Sequence, residues 1–483
     1  MDSMLCDELI QEIFTRIPNS SSSSSPTTAA SVSLVSKRWL YLYRSSRTSL
    51  SLRLIPENST IPALSTLLSH YPFLSSLSLV LSSDPTSHVT TTTTFSDGVI
   101  LVVSSFCPKL THLRFLAGPV SQASLFSLSK TSSLLTSLTI SLPRPLCLNW
   151  VAFFSSLKEL SLYVCGGDGA EVGSFHNKES VLCIDENFDA ELGLESLLLS
   201  GIQRDDCGLG WLWRSCKKLK KLHLKNCEGV GDGGSFLSFV QCLQGLEEVE
   251  LRTCRSIVDG VLLRLAENCD SLTSVLVYDG GCRDGLLQFI SNCRCKLQKL
   301  DLRLPLDLDN VHLSAIAANF RGLSSLRLQS CCLFTGEGLK ALGIALSSGL
   351  EELALINCDV VERESGLLAT LGQNLKQLRK LDLSYNESLL DKEFISMLAS
   401  CTDLIELKLR GCQGLSNLAM LSMLKSCKRL ESIDIMHCCG IGSAAVESFL
   451  LNAPRLKQLQ VEESKVSDVA RIWAANKFIQ VTA

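Results

Sequence analysis

Apolar positions recur in a fixed pattern through the second half of the chain. The pattern is L-x-x-L-x-L, with Val or Ile replacing Leu in some copies. The copies begin at Leu219, Leu246, Leu272, Leu297, Leu323, Leu350, Leu378, Leu404, Leu430 and Leu456, so successive starts are 25 to 28 residues apart. A period this regular is typical of stacked-repeat proteins and lies in the range of leucine-rich repeats.

Each copy predicts a strand followed by a helix. In the copy at Leu219, Leu222 and Leu224 alternate with polar residues, which places both leucines on one face of a short strand. In the next copy, residues 259–269 have apolar side chains at helical spacing, and Asp259 is predicted to cap that helix. Neither apolar face can be buried within one repeat, so neighbouring repeats must stack. The predicted fold is an α/β solenoid with parallel inner strands and outer helices.

Weaker copies extend this solenoid towards the N-terminus. They begin at Leu74, Leu110, Leu135, Leu157 and Leu194, after an irregular first strand that contains Leu50, Leu52 and Leu54. Insertions at 82–97 and 165–193 lengthen two of the intervals, and such insertions form loops that either bind a partner or vary neutrally. The predicted organisation is a helical module at 1–46, a solenoid of about 15–16 repeats at 47–465, and a C-terminal cap at 466–483.

The 22 cysteines follow the repeat. One column follows the strands and contains Cys165, Cys227, Cys254, Cys331, Cys358, Cys412 and Cys438. A second closes the helices and contains Cys216, Cys242, Cys269, Cys401 and Cys427. Small thiols suit a tight turn inside a solenoid, so both columns are predicted to be buried. Disulfides and a zinc site are the alternatives, but the closely spaced cysteines lack the usual two-residue ligand spacing.

The first 46 residues do not follow the repeat. Leu5, Leu9 and Ile13 recur every four residues, which predicts an amphipathic helix. A serine-rich tract separates this helix from a second amphipathic segment, which contains Val35 and Trp39. Two short helices with this much apolar surface form either a hydrophobic cap on the open end of the solenoid or a docking surface for another protein.

The residues L-C-D-E-L-I-Q-E-I-F-T-R-I-P, followed by S-L-V-S-K-R-W-L-Y-L, resemble an F-box. The sequence departs from the usual F-box at Cys6, at Ser36 and in the serine-rich tract. The whole chain resembles F-box/leucine-rich-repeat proteins of the cysteine-containing type, as found in plants. The resemblance implies a non-catalytic substrate-recognition subunit of a Skp–cullin–F-box ubiquitin ligase, which reaches cullin through a Skp-type adaptor. The adaptor-binding residues that it implies are Leu5, Leu9, Ile13, Leu34, Val35 and Trp39.

The outward positions of the strands are the predicted substrate-binding face. Several of these positions are basic or aromatic, and together they define a basic strip of Lys225, Arg252, Tyr278, Arg303, Arg327, Lys408 and Arg410. We hypothesise that the basic strip recognises an acidic or phosphorylated segment of a protein substrate. The alternative is an ordinary solvated face of mixed charge. Two other functions stay open: a repeat scaffold without a ubiquitin role, and a small-molecule receptor of the architecture that plant auxin and jasmonate receptors share.

Composition narrows the class of partner. The net charge of −4 and the pI near 6.0 give no general attraction to nucleic acid or to acidic membranes, so neither is predicted as a partner. The N-terminus has no basic residue before Arg16 and does not resemble a secretory signal, which predicts an intracellular protein of the nucleus, the cytoplasm or both. Phosphate-binding, nucleophile-elbow and zinc-protease motifs are absent from the sequence, so no cofactor, metal or catalytic site is predicted.

Overall fold

The fold follows from strands and helices that alternate along the chain. The computed structural model describes residues 6–16, 32, 35–57, 59–82, 93–165, 190–231, 233–304 and 307–482. The chain divides into two compact units, Met1–Cys242 and Leu243–Ala483. Both central parts of the predicted insertions, at 83–92 and 166–189, lie outside the described residues.

Unit 1 contains a helical pair followed by strand–helix repeats. Its strands are β1 (Ser49–Leu54), β2 (Ser76–Leu81), β3 (His112–Pro119), β4 (Ser137–Leu142), β5 (Glu159–Val164), β6 (Ser196–Ser200) and β7 (Lys221–Lys225). Its helices are α1 (Asp7–Arg16), α2 (Lys37–Ser46), α3 (Thr60–Leu68), α4 (Thr93–Phe106), α5 (Gln122–Thr131), α6 (Leu209–Ser215) and α7 (Ser235–Cys242), with a 3₁₀ turn at Asn149–Phe153.

Unit 2 repeats the same alternation more regularly. Its strands are β8 (Glu248–Arg252), β9 (Ser274–Tyr278), β10 (Lys299–Arg303), β11 (Ser325–Gln329), β12 (Glu352–Ile356), β13 (Lys380–Asp382), β14 (Glu406–Lys408), β15 (Ser432–Asp434), β16 (Gln458–Gln460) and β17 (Gln480–Thr482). Its helices are α8 (Val258–Asn268), α9 (Arg283–Asn292), α10 (Asn310–Asn319), α11 (Gly336–Ala345), α12 (Asp359–Arg363), α13 (Leu367–Asn374), α14 (Asp391–Leu398), α15 (Asn417–Ser426), α16 (Ser443–Asn452) and α17 (Asp468–Asn476), with a 3₁₀ turn at Glu463–Lys465.

Within each unit, consecutive strands pair in parallel and in register. In unit 1 the first apolar position of each strand aligns with that of the next, as Leu77 of β2 does with Leu113 of β3. Unit 2 continues the same rule from Val249 of β8 to Val481 of β17. From β2 to β16 the aligned side chains are almost fully buried, and burying one such side chain contributes roughly 1.5–3 kcal/mol. The predicted leucine-rich-repeat solenoid is therefore confirmed as the fold of each unit.

Side chains near the helix starts connect neighbouring repeats of unit 2. Asp259 does not cap α8, because that helix begins one residue earlier, after Ile257, and has no side-chain cap. Its Oδ1 instead accepts a hydrogen bond of 2.9 Å from the backbone N–H of Cys282, at the start of the next helix. Asp391 makes the same contact with the N–H of Ser416 at 3.0 Å. The prediction for Asp259 was wrong because tertiary stacking, rather than local capping, uses its carboxylate.

Both cysteine columns are buried as predicted, with the exception of Cys165. Cys165, directly after β5, is exposed. Burial raises the pKa of Cys216 and of Cys427 to about 12, so these thiols stay protonated near neutral pH. In the column after the strands, thiols donate to backbone carbonyls of the preceding repeat, as Cys438 does to Leu409 at 2.9 Å.

The start of α10 carries a polar cluster built around one buried histidine. Asp309 caps this helix by accepting from the N–H of Val311 at 2.9 Å. Its carboxylate lies 2.8 Å from Nδ1 of the fully buried His312 and 2.6 Å from Nη2 of Arg283. Desolvation alone would raise the pKa of Asp309, but hydrogen bonds from His312, Arg283 and the helix N–H groups lower it to about 2.

This shift predicts an acid-dependent contribution to stability. The folded pKa of Asp309 lies below its ordinary value of 3.8, so its contribution is present above about pH 4 and is lost as the pH falls towards 2. We expect Asp309→Asn, which retains a capping oxygen, to lower the free energy of unfolding at pH 7 but not at pH 2. Urea unfolding at both pH values measures this difference. Asp468→Asn, at an exposed position in α17, is the control, and an equal loss at both pH values would contradict the prediction.

Candidate functional site

The helices α1 and α2 pack against each other through a small core of their own. Ile10 and Phe14 of α1 are buried against Val32 and Leu42. Trp39 packs at the edge of this cluster, with its ring edge-on to Phe14 at a centroid distance of 5.6 Å. The side chains that hold the pair together are therefore largely distinct from those that were predicted to bind an adaptor.

Hydrogen bonds and an ion pair at their N-terminal ends fix the two helices. Ser36 caps α2 by accepting from the N–H of Trp39 at 3.2 Å. Arg38 donates to Oδ1 of Asp7 in α1 at 2.6 Å. In the F-box pattern that the sequence resembles, Cys is common at the position of Ser36. In this chain the serine hydroxyl at that position caps α2.

The predicted adaptor-binding residues fall into three groups. Leu9, Ile13 and Val35 are exposed at 54%, 51% and 55%. Trp39 is half-buried against the helix-pair core, and Leu5 and Leu34 lie outside the described residues. Tyr41 on α2 is 69% exposed and was missed, although its position directly after the Trp39-Leu40 pair in an amphipathic helix was visible in the sequence. The helix pair thus presents an apolar surface that its own packing leaves uncovered.

Carboxylates in unit 2 pair with the cations of the basic strip. Arg252 lies 2.8 Å from Glu250 and Arg303 lies 2.7 Å from Asp301, each two residues earlier on the same strand. Lys408 pairs in the same way with Glu406 at 2.9 Å. Residues two apart on a strand share a face, which explains the contacts.

Two arginines of the basic strip reach across strands. Arg327 of β11 lies 3.6 Å from Asp301 of β10 and 3.5 Å from Asp382 of β13. The contact with Asp382 passes over β12, where the buried Ala354 occupies the aligned position and leaves room for the guanidinium. Arg410, two residues after β14, pairs with Asp434 of β15 at 3.1 Å. These contacts hold the guanidinium groups in fixed orientations.

The carboxylates that pair with the basic strip change the kind of partner that the strip can bind. Every cation of the strip in unit 2 has a carboxylate within 4 Å, so an incoming phosphate would also meet Asp301, Asp382 and Asp434. Tyr278, half-buried on β9, lies in register between Arg252 and Arg303. In unit 1, Lys225 is exposed at the end of β7. The substrate-binding role of the strip stays a prediction, and its paired charges suit a partner of mixed rather than strongly acidic character.

Comparisons with known proteins match a repeat family profile and, over part of its length, a curated protein. A leucine-rich-repeat family profile, described as "Leucine Rich repeat", matches residues 323–343. The chain is similar to F-box/LRR-repeat protein 4 of Bos taurus, with 27% identity over 161 residues. That match covers 33% of this chain and 26% of the bovine protein, so the chain spans about a quarter of the relative's length.

Similar solved structures share the repeat architecture. A chain in the crystal structure of the yeast Rad7 and Elc1 complex aligns with 91% of this chain and 90% of its own length, at 15% identity and a TM-score of 0.48. The leucine-rich-repeat protein LegL7 of Legionella pneumophila aligns with 58% of this chain and 96% of its own length, at 12% identity and a TM-score of 0.40. In the part of the chain that the structure describes, no helix is long and apolar enough to span a membrane. The chain has a leucine-rich-repeat fold, matches the repeat profile at residues 323–343, and is similar over a third of its length to an F-box/LRR-repeat protein.

Proposed function

We propose that this protein is the substrate-recognition subunit of a Skp–cullin–F-box ubiquitin ligase. In this proposal α1 and α2 form an F-box that binds a Skp-type adaptor, and the repeats bind the protein to be ubiquitinated. The adaptor links the chain to cullin, and the partners supply the catalytic chemistry. The protein itself acts by binding and positioning.

One observation carries the proposal: the helix pair is packed internally and still exposes apolar side chains. Leu9 and Ile13 lie one turn apart on α1, and more than half of each side chain is exposed, while Ile10 and Phe14 fill the core. A helix pair that served only to cover the end of a solenoid would bury such residues against the repeats. Exposed apolar side chains on a preorganised helix pair favour docking to another protein.

Adaptor binding tests the proposal directly. We expect the full chain to bind a purified Skp-type adaptor, and Leu9→Ala with Ile13→Ala to weaken that binding on the order of tenfold to a hundredfold, because two partly exposed apolar side chains would be lost from the interface. Biolayer interferometry measures both affinities. The substituted residues do not contribute to the core of the helix pair, so the fold is preserved.

A matched variant separates docking from a general loss of apolar surface. Leu237→Ala removes an exposed leucine from α7 and is expected to leave adaptor binding unchanged. If the wild-type chain does not bind the adaptor, the ligase proposal fails and a repeat scaffold becomes the better assignment. If the Leu9 and Ile13 double variant binds like the wild type, these two residues are not the docking surface.

A further inference from the structure

The loops that precede the strands of unit 1 lie side by side along one rim. A ladder of backbone hydrogen bonds fixes this alignment: Thr111 donates to Ser75, Thr136 to Thr111, and Lys158 to Thr136, each at 2.8 Å. Every donor and acceptor in this ladder lies just before or at the start of a strand. Side chains immediately upstream of these positions therefore form a continuous row across neighbouring repeats.

Large apolar side chains project from this row. Phe73 and Leu134 each directly precede the first leucine of a repeat, and they are 48% and 53% exposed. Phe106 at the end of α4 and Phe153 in the 3₁₀ turn are also exposed, and Phe153 contacts Phe126 at a centroid distance of 4.9 Å. Half-exposed side chains of this size present roughly 300–400 Å² of apolar surface, which is as large as the largest patch on a typical monomer.

Lysines without carboxylate partners accompany these apolar side chains. Lys109 lies over the ring of Phe73 at 4.6 Å, and Lys130 lies at the end of α5. Among the described residues, no carboxylate forms an ion pair with either of these lysines. The rim segments 69–75, 104–111, 129–137 and 153–158 contain no Asp or Glu. This charge pattern is the opposite of that on the basic strip, where each cation in unit 2 is compensated.

We infer that this apolar–basic rim, formed by Phe73, Phe106, Lys109, Lys130, Leu134 and Phe153, binds an acidic polypeptide segment that also carries apolar side chains. Uncompensated lysines select carboxylates, and the exposed rings supply the apolar contact that charge alone lacks. If the proposed function is correct, the apolar–basic rim is a site of substrate recognition, and in this respect the inference rests on that proposal. The inference assigns the recognition of acidic segments to the rim of unit 1 instead of the strands of unit 2.

A polypeptide fits this rim better than a lipid surface does. Lipid-binding clusters usually contain four to eight adjacent basic residues, whereas two uncompensated lysines, Lys109 and Lys130, lie here beside exposed apolar side chains. Farther along the same row, Glu191 pairs with Lys218 at 3.1 Å and Glu195 pairs with Lys158 at 3.3 Å, which ends the uncompensated region. The apolar–basic rim is thus a short surface, of a size suited to a peptide segment.

Fluorescence polarisation of the full chain with defined peptides tests the inference. The probe is a fluorescein-labelled peptide of three Asp-Phe-Glu-Leu repeats, and its matched control replaces Asp and Glu by Asn and Gln. We expect the wild type to bind the acidic peptide at least about tenfold more tightly than the amide peptide. Lys109→Glu with Lys130→Glu, and separately Phe73→Ser with Leu134→Ser, are each expected to weaken binding of the acidic peptide about tenfold.

Unit 2 supplies the control variant. Lys296→Glu with Lys376→Glu reverses two exposed lysines that also lie in loops before strands, and it is expected to leave peptide binding unchanged. The inference is overturned if the wild type does not prefer the acidic peptide, or if the rim variants bind like this control. Binding to phosphatidylserine vesicles that exceeds peptide binding and is lost in the rim variants would overturn it in favour of a lipid surface. Adaptor affinity, measured on the same variants, is expected to be unchanged. A wild-type chain that binds no adaptor would refute the ligase proposal, and this result is separate from the peptide-binding result.

Discussion

Replacing Arg144 by Met is expected to lower the free energy of unfolding by about 3–5 kcal/mol, the usual cost of leaving a buried charge without its partner. Arg144 follows β4, and its Nε and Nη2 atoms lie 2.8 Å and 3.1 Å from the two carboxylate oxygens of Asp206. Its guanidinium also donates to the carbonyl of Gly201 at 2.7 Å. Because Asp206 is only 7% exposed, solvent cannot replace the lost guanidinium.

Urea unfolding followed by tryptophan fluorescence measures this loss, since Trp150, Trp211 and Trp213 all lie in unit 1. Arg144→Met combined with Asp206→Asn removes both charges, and we expect it to recover a large part of the stability. Arg214→Met, which changes an exposed arginine of α6, is the control. A double variant as unstable as Arg144→Met would show that shape or hydrogen bonding, rather than the unpaired charge, dominates the effect.

Most of the fold could be predicted because one periodic signal determines it. The L-x-x-L-x-L spacing indicated each strand from β7 to β16, and the weaker copies indicated β1 to β6. The strand β17, in the segment 466–483, was not predicted, because it lacks the leucine pattern and pairs only through Val481 and its neighbours. The periodic pattern identifies only segments that contain the leucines. It therefore does not identify β17, which pairs as the other strands do but lacks those leucines.

Contacts between repeats were harder to predict than the repeats themselves. Arg144 and Asp206 lie 62 residues apart, and no local pattern relates them. The residues that follow the strands have positive φ values, such as 52° at Thr253, 56° at Ser330 and 62° at Tyr385. Their N–H groups donate to the next strand, as that of Ser330 does to Ile356 at 2.8 Å. Stacking imposes this backbone, so glycine, the usual sequence signal for positive φ, is not required.

The sequence of the basic strip also contains a signal for charge pairing, which was not used in predicting the site. Glu250 and Arg252, like Asp301 and Arg303, are two residues apart and so share a face of the sheet. The same alternation that predicted the outward basic strip therefore also predicted its neutralisation. For α1, helical periodicity defined the apolar stripe but could not divide it between Ile10, which faces α2, and Leu9, which faces outward. That division depends on where the second helix packs.

Replacing Asn386 by Leu is expected to destabilise unit 2 by about 3–5 kcal/mol, because the N–H of Cys358 and the carbonyl of Leu355 lose this partner and the carbonyl of Leu383 keeps only the thiol of Cys412. Asn386 is 1% exposed and occupies the column position that Cys358 and Cys412 fill in neighbouring repeats. Its Nδ2 donates to the carbonyls of Leu355 at 2.8 Å and Leu383 at 2.7 Å. Its Oδ1 accepts from the N–H of Cys358 at 3.0 Å. Leucine has a similar volume but satisfies none of these groups.

Asn386→Cys is the matched control, because cysteine is the residue that this column normally contains. In the equivalent repeats, Cys412 donates to the carbonyl of Leu383 at 3.1 Å and Cys438 donates to that of Leu409 at 2.9 Å. The cysteine variant therefore keeps the bond to Leu355 and is expected to lose only about 1–2 kcal/mol. Urea unfolding gives the two free energies, and hydrogen exchange at the Cys358 amide gives the local effect. Equal losses in the two variants would mean that the volume of Asn386, rather than its hydrogen bonds, stabilises the stack.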